Sequence, residues 1–248
     1  MLKIELDDAK LWLQILEAIK DIVEETIFIA TPNELTLRAM DSAKVAMVDL
    51  RLPSMFFANY QTEKEEVKIG FSIVDMVKTL KGIKKGYRLT IDVTEDNLLK
   101  LTFLGKGTHI FEFPLLDITT ETLPTLKLKF DSRIKIETDL LYDTVKNLEK
   151  FSDYLIFKAY PDKFVINARS EKGRANSEFT RDDLIAIEVE KESITGYSTE
   201  YLLNILGKSE LSEVTILEFS TKNPLKVTYP LVNEGEFVYY LAPRTEIE

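Results

Sequence analysis

The sequence predicts an α+β protein made of two similar domains. Three observations carry that reading. Distinctive segments recur at an interval of about 126 residues, most of the chain alternates apolar and polar residues, and four short stretches carry apolar residues at helical spacing. With 248 residues, 45% of them hydrophobic, the chain can build one large domain or two of about 100–150 residues.

The opening residues 1–6 alternate as a strand, without the unbroken apolar core of a signal peptide. Residues 9–22 follow as a first helix, with Trp12, Ile15, Leu16, Ile19 and Val23 on one stripe. An X-Pro-Asn turn at Pro32 then opens the alternating run TPNELTLRA at 31–39, as a hairpin should. A second helix is predicted over 72–83, capped by Ser72 and burying Ile73, Val77 and Leu80. The strand LKLTF at 99–103 follows it.

The same order then returns. Lys135-Ile136-Glu137 repeats Lys3-Ile4-Glu5 and precedes a third helix over 139–150 that buries Leu141, Val145 and Leu148. YPDKFVINA at 160–168 matches the first hairpin in character, position by position. YSTE at 197–200 matches FSIV at 71–74, and LKVTY at 225–229 matches LKLTF. The fourth helix spans 199–206 with Tyr201, Leu202 and Ile205 inward, Ser198 as its cap and Gly207 at its end. The expected domains are 1–114 and 129–248. The connector 115–128 is extended around Pro124. Its Leu123 and Leu126 either pack on a sheet or wall a docking groove.

Composition excludes much chemistry. The chain has no cysteine and one histidine, His109, which removes thiol nucleophiles, disulfides, structural zinc sites and any triad needing a second histidine. His109 reads as a residue at the start of a strand. No phosphate-binding glycine loop and no nucleophile elbow occurs, so the chain is not expected to be an enzyme, to hold a metal or to need a cofactor. No apolar run approaches the roughly 18 residues of a membrane span, and no membrane partner is expected. Abundant lysine and glutamate beside only Gln14 and Gln61 point to a heat-adapted source.

Lys+Arg 32 against Asp+Glu 42 leaves a net charge of −10, so nucleic acid could be met only through a segregated basic face. The lysines supply one. Lys78, Lys81 and Lys85 lie at i, i+3 and i+7 with Lys84 adjacent; Lys146 and Lys150 lie at i, i+4. Lys10 and Lys20 are on the first helix, and Lys208 follows the fourth. On a single helix, lysine near the C-terminus is ordinary macrodipole chemistry. Recurrence over four pseudo-equivalent helices favours a thin, sequence-indifferent phosphate-facing surface.

The segment LRAMDSAKVAMVDL at 37–50 resembles the signature of sliding clamps of the proliferating cell nuclear antigen type. YYLAPR at 239–244, NPLKV at 223–227 and LEAIKD at 16–21 resemble that family too, so the likeness spans the chain. It implies a DNA clamp fold: two α+β domains per subunit, three subunits closed head to tail, helices lining a central hole and antiparallel sheets outside. It implies encirclement of double-stranded DNA without sequence preference, and the tethering of a DNA polymerase, clamp loader, ligase and flap endonuclease-type clients through a short apolar and aromatic motif. An archaeal clamp would work in the cytoplasm, on the nucleoid.

Carried over residue by residue, Lys20, Lys78, Lys81, Lys146, Lys150 and Lys208 would face the DNA, with Lys10, Lys84 and Lys85 as further candidates. Leu13, Gln14 and Asp143 stand where a basic residue can occur in such clamps. A partner-peptide pocket would use Met40, Val45, Met47, Leu123, Pro224, Tyr240, Ala242 and Pro243, with Lys44 at its rim. Subunits would join through Thr108, Ile110, Phe111 and Phe113 of one copy and Ala175, Ser177 and Phe179 of the next, since an unpaired edge is a liability that ring closure removes. Two alternatives stay open: a clamp subunit that needs paralogues to close a ring, and an acidic enzyme using paired carboxylates or a divalent metal.

Overall fold

The computed structural model describes residues 2–119, 123, 126, 128–171 and 173–244. Each half of the chain runs strand, helix, five strands, helix, three strands. The first half holds β1 (Leu2–Leu6), α1 (Ala9–Lys20), β2 (Glu25–Ala30), β3 (Glu34–Met40), β4 (Ala46–Pro53), β5 (Asn59–Thr62) and β6 (Val67–Ser72). It ends with α2 (Ile73–Leu80), β7 (Arg88–Val93), β8 (Leu98–Leu104) and β9 (Thr108–Pro114). The second holds β10 (Ser132–Glu137), α3 (Thr138–Leu148), β11 (Tyr154–Tyr160), β12 (Lys163–Ser170), β13 (Gly173–Thr180) and β14 (Ala186–Val189). It ends with β15 (Ser193–Ser198), α4 (Thr199–Leu206), β16 (Val214–Phe219), β17 (Leu225–Pro230) and β18 (Glu236–Leu241).

The sheet orders repeat as well. β5-β1-β7-β8-β9 in the first half answers β14-β10-β16-β17-β18 in the second, and β4-β3-β2-β6 answers β13-β12-β11-β15. Two compact units result: Met1–Ser42 with Val48–Pro124 and Leu231–Phe237, and Ala43–Met47 with Thr125–Pro230 and Val238–Glu248. Within the first, Trp12, Phe28 and Phe71 form a continuous ring cluster, at 5.3 and 5.4 Å between centroids. Within the second, Phe157, Phe164, Tyr197 and Phe219 do the same, mostly edge to face.

The apolar stripes bury as expected, apart from half-buried Val23 and Tyr201. The hairpins form at both proline turns, with Ala30 opposite Leu35 and Tyr160 opposite Lys163. Helix ends differ from expectation. α2 stops at Leu80, where the Ile83 N–H closes the last turn on the Leu80 carbonyl just past Gly82. Ser72 caps it as predicted, accepting from the Asp75 N–H, but the Ser198 side chain makes no such bond at α4.

Another device starts all four helices. The first helical N–H, an orphan within any helix, donates to a carbonyl from a distant segment: Ala9 to Tyr87, Ile73 to Glu24, Thr138 to Glu213 and Thr199 to Asp153, at 2.8–2.9 Å. Residues 120–122, 124, 125 and 127 of the predicted connector, Pro124 among them, lie outside the described residues. Before them the Leu116 N–H donates to the Gly70 carbonyl, and a Cβ at position 70 would overlap the Leu116 oxygen, which explains a glycine there.

Candidate nucleic-acid and partner interface

The helices set the lysines. α2 buries Ile73, Met76, Val77 and Leu80, a full i, i+3, i+4, i+7 stripe. That geometry turns Lys78 outward, with Lys81 capping the helix and Lys84 and Lys85 exposed in the turn before β7. Asp75 is the one acid on this stretch, so the α2 corner is a concentrated positive patch. On α1, Lys10 is exposed and Lys20 is half-buried in the last turn.

The second unit presents a different surface. α3 buries Thr138, Leu141, Thr144, Val145 and Leu148 and exposes Lys146 and Lys150 beside Asp139, Asp143 and Glu149. Lys146 Nζ lies 5.7 Å from the Tyr142 ring centroid, close enough for a weak cation–π contact. α4 has no basic residue in its last turn, and Lys208 beyond it is half-buried. The nine candidate lysines therefore divide: Lys78, Lys81, Lys84 and Lys85 form one dense cluster, Lys146 and Lys150 are interleaved with carboxylates, and Lys10, Lys20 and Lys208 stand singly.

The candidate joining strands both end sheets. β9 closes the five-stranded order and β13 the four-stranded one. On β9, Thr108 and Ile110 are exposed, Ile110 by 55%, while Phe111 and Phe113 are half-buried; Phe111 meets Phe103 edge to face. Leu104, diagonal to Ile110, is also exposed, a surface apolar residue that the alternating pattern hid. On β13, Ala175 and Ser177 are half-buried. Phe179 is only 7% exposed and stacks on Phe164, so it is a core residue and not a surface one. Strand alternation places 175, 177 and 179 on the covered face, which leaves the main-chain edge as what β13 offers.

The pocket residues are placed in their own units. In the second, the Ala242 N–H donates to the Val45 carbonyl at 2.8 Å, which draws the Ala43–Met47 segment against the end of β18. Val45, Pro224, Tyr240, Ala242 and Pro243 are half-buried there, and Lys44 is exposed in a left-handed backbone conformation. Met47, expected to line a pocket, is 2% exposed and belongs to the core. In the first unit, Met40 ends β3 half-buried, and Leu123 lines an open groove with Ile27, Ile29, Thr36 and Arg38. Arg38 Nε donates to Asp49 at 2.9 Å on the wall of that groove.

Among the described residues, no group of three or more His, Asp or Glu is placed to hold a metal ion, and no helix is long and apolar enough to cross a membrane.

Known proteins share this architecture. The N-terminal domain model of proliferating cell nuclear antigen matches residues 1–120, and the C-terminal domain model matches residues 126–244. A DNA polymerase sliding clamp from Thermofilum pendens is 34% identical over 99% of this chain and 100% of its own length. One from Thermococcus onnurineus is 29% identical over 98% of each. Among solved structures, the proliferating cell nuclear antigen of Thermococcus kodakaraensis superimposes with a TM-score of 0.94 at 26% identity, covering 98% of this chain and 100% of that one. A chain of a complex between two such antigens of Sulfolobus tokodaii reaches 0.91 at 27% identity, with the same coverage. These relatives are archaeal sliding clamps and share the α+β clamp fold over nearly their whole length. The chain is a sliding-clamp subunit of the proliferating cell nuclear antigen family.

Proposed function

We propose that three copies of this chain close a ring around duplex DNA and hold a polymerase and other replication and repair enzymes on it. The reading rests foremost on two of the strands that end sheets, β9 and β13, in a chain whose halves otherwise repeat. Pairing β9 of one copy with β13 of the next satisfies both of these edges, and three such joints close the ring.

DNA would be met mainly by the Lys78, Lys81, Lys84 and Lys85 cluster, with Lys10, Lys20, Lys146, Lys150 and Lys208 adding weaker contacts. Interleaved carboxylates on α3 suit this role. A ring stays on DNA by topology, so phosphate affinity must be low enough to permit sliding. The protein has no catalytic part in this scheme. Clients would dock a short helical turn with aliphatic and aromatic side chains against Val45, Pro224, Tyr240, Ala242 and Pro243, with Lys44 at the rim and Met40 and Leu123 adding apolar contact. Met47 would then support the floor from beneath. The site of action would be the archaeal cytoplasm, on the chromosome.

The test combines mass and topology. Light scattering of the purified chain should approach three times 28.5 kDa, about 85 kDa, at high concentration. The assembled protein should be retained by closed circular DNA and released when that DNA is cut. Lys78→Glu with Lys81→Glu should lower retention without changing the mass. A monomeric mass at every concentration would reject self-closure, and retention indifferent to cutting would reject encirclement.

A further inference from the structure

One face of the sheet β5-β1-β7-β8-β9 carries a row of charges that alternates in sign from strand to strand. Lys3 on β1 lies opposite Asp92 on β7, Asp92 opposite Lys100 on β8, and Lys100 opposite Glu112 on β9. Residues directly opposite share a face. Burial raises the Asp92 carboxyl above its usual range, and the nearby charges of Lys3 and Lys100 oppose that rise. The second half builds the same kind of row from other residues. Arg133 on β10 lies 3.8 Å from both Glu188 on β14 and Glu218 on β16, and Glu218 accepts from Lys226 on β17 at 2.7 Å. Opposite charges facing each other across strands stabilise a sheet, and like charges do the reverse.

The first row stops on a carboxylate at a sheet end. Glu112 is exposed on β9, the last strand of its order, and has no ion-pair partner among the described residues. β13 ends its own sheet with the complementary defect. Arg174 lies directly opposite Arg169 on β12, both are exposed, and neither has an ion-pair partner among the described residues. The other charge on that face of β13, Glu178, is held by Lys163 at 3.1 Å. Two arginines facing each other across a hairpin call for a carboxylate from outside it.

We propose that Glu112 of one copy and Arg174 of the next form the ion pair that sets the register of the joint, so that the alternating row of one subunit continues onto a strand of its neighbour. The inference rests on the ring reading above. Taken antiparallel, like the pairings each strand already makes, the joint keeps covered face on covered face only in steps of two residues. With Glu112 opposite Arg174, Phe113 falls opposite Gly173, Phe111 opposite Ala175 and His109 opposite Ser177, so each ring meets a small residue. A slip of two residues one way sets Ile110 against Glu178 and His109 against Phe179. A slip the other way carries Glu112 beyond Gly173, the first residue of β13. Only the first register joins opposite charges on the exposed face and sets large against small on the covered one.

Charge reversal tests the pair. Glu112→Arg and Arg174→Glu are placed singly and together in the full chain. Dissociation on dilution is followed by light scattering and sedimentation, and far-UV circular dichroism checks that each variant is folded. Each single reversal turns an attraction into a repulsion at every joint and should raise the dissociation constant per joint about tenfold. The double reversal restores opposite charges and should recover most of that loss. An equimolar mixture of the two single variants should associate more tightly than either alone, because two of the three joints in a mixed ring regain the pair. Single variants that dissociate as the wild type does, or a double variant no better than the weaker single one, overturn the proposal while leaving the ring intact. A wild-type chain that never associates would instead remove the ring reading, and the proposal with it.

Discussion

The two halves share element order and sheet order, yet they secure the same frame by different chemistry. Where the first half has Phe71, the second has Tyr197, whose hydroxyl donates to the Asn223 carbonyl at 3.1 Å. Where the first has Phe103, the second has Tyr229, donating to Ile205 and Leu206 at the end of α4. Ala9 and Ile73 begin α1 and α2; Thr138 and Thr199 begin α3 and α4, and their hydroxyls donate to Ser212 and Ser152. On the outer sheet face the trade reverses. The first half pairs Arg38 with Asp49, and the second pairs Asn167 with Asn176 at the same place. One backbone therefore accepts either hydrocarbon packing or buried hydroxyls at its inner joints, provided each hydroxyl finds a carbonyl.

The largest test of this contrast is alkaline unfolding. Burial pushes the phenols of Tyr197 and Tyr229 far above the ordinary tyrosine range, partly offset by hydrogen bonds with Thr195 and Thr215. The first half has Tyr60, pushed up to about 12 by burial and by Glu34 nearby. A raised phenol favours the folded state while neutral. That stabilisation is whole below about pH 10 and is lost as the pH climbs through the raised values. The second unit carries two such phenols at its core and should open first. Far-UV circular dichroism should fall before the emission maximum of Trp12 moves, because Trp12 is the sole tryptophan and reports the first unit. Simultaneous change, or Trp12 moving first, would mean that the tyrosines do not set the order.

A second test strikes the first half alone. Gly70→Ala puts a methyl group into the Leu116 carbonyl, and the segment after β9 must move. The cost should be about 2–3 kcal/mol by chemical denaturation. Gly82→Ala, with open space around its Cβ, should stay within about 0.5 kcal/mol of wild type. Equal costs would show that the close approach at Gly70 yields readily.

Much of this was legible in the sequence because the signals are local. Pro32 and Pro161 announce their hairpins, and the stripes through Trp12, Leu80, Leu148 and Ile205 announce the four helices. The lysine cluster around α2 could be seen too, since helical spacing fixes which residues share a face. What could not be read depends on partners distant in sequence. Phe179 lies on a strand whose covered face is decided by the neighbouring strands, so its burial left no local trace. The carbonyls of Tyr87, Glu24, Glu213 and Asp153 that start the helices were invisible for the same reason. The exchange of Phe71 for Tyr197 and of Phe103 for Tyr229 was visible once the halves were aligned. Its meaning was not, because a hydroxyl counts only with an acceptor in reach.

That last point yields the smallest effect and the sharpest comparison. Tyr229→Phe removes a hydroxyl that is fully buried and satisfied by two carbonyls in the last turn of α4. The Leu206 oxygen keeps the Lys208 N–H as a donor, so the loss falls mainly on the Ile205 oxygen. A single buried acceptor left with less should cost about 1–2 kcal/mol of unfolding free energy, measured by urea denaturation. Phe103→Tyr is the reciprocal change in the first half, at a ring already set edge-on to Phe111. Its hydroxyl would enter a core built for hydrocarbon and should gain nothing, because desolvation offsets whatever bond it finds. If Phe103→Tyr stabilises as much as Tyr229→Phe destabilises, the frame itself favours the hydroxyl. If it does not, the tyrosine is specific to the second half, where the surrounding packing had already placed the carbonyls to receive it.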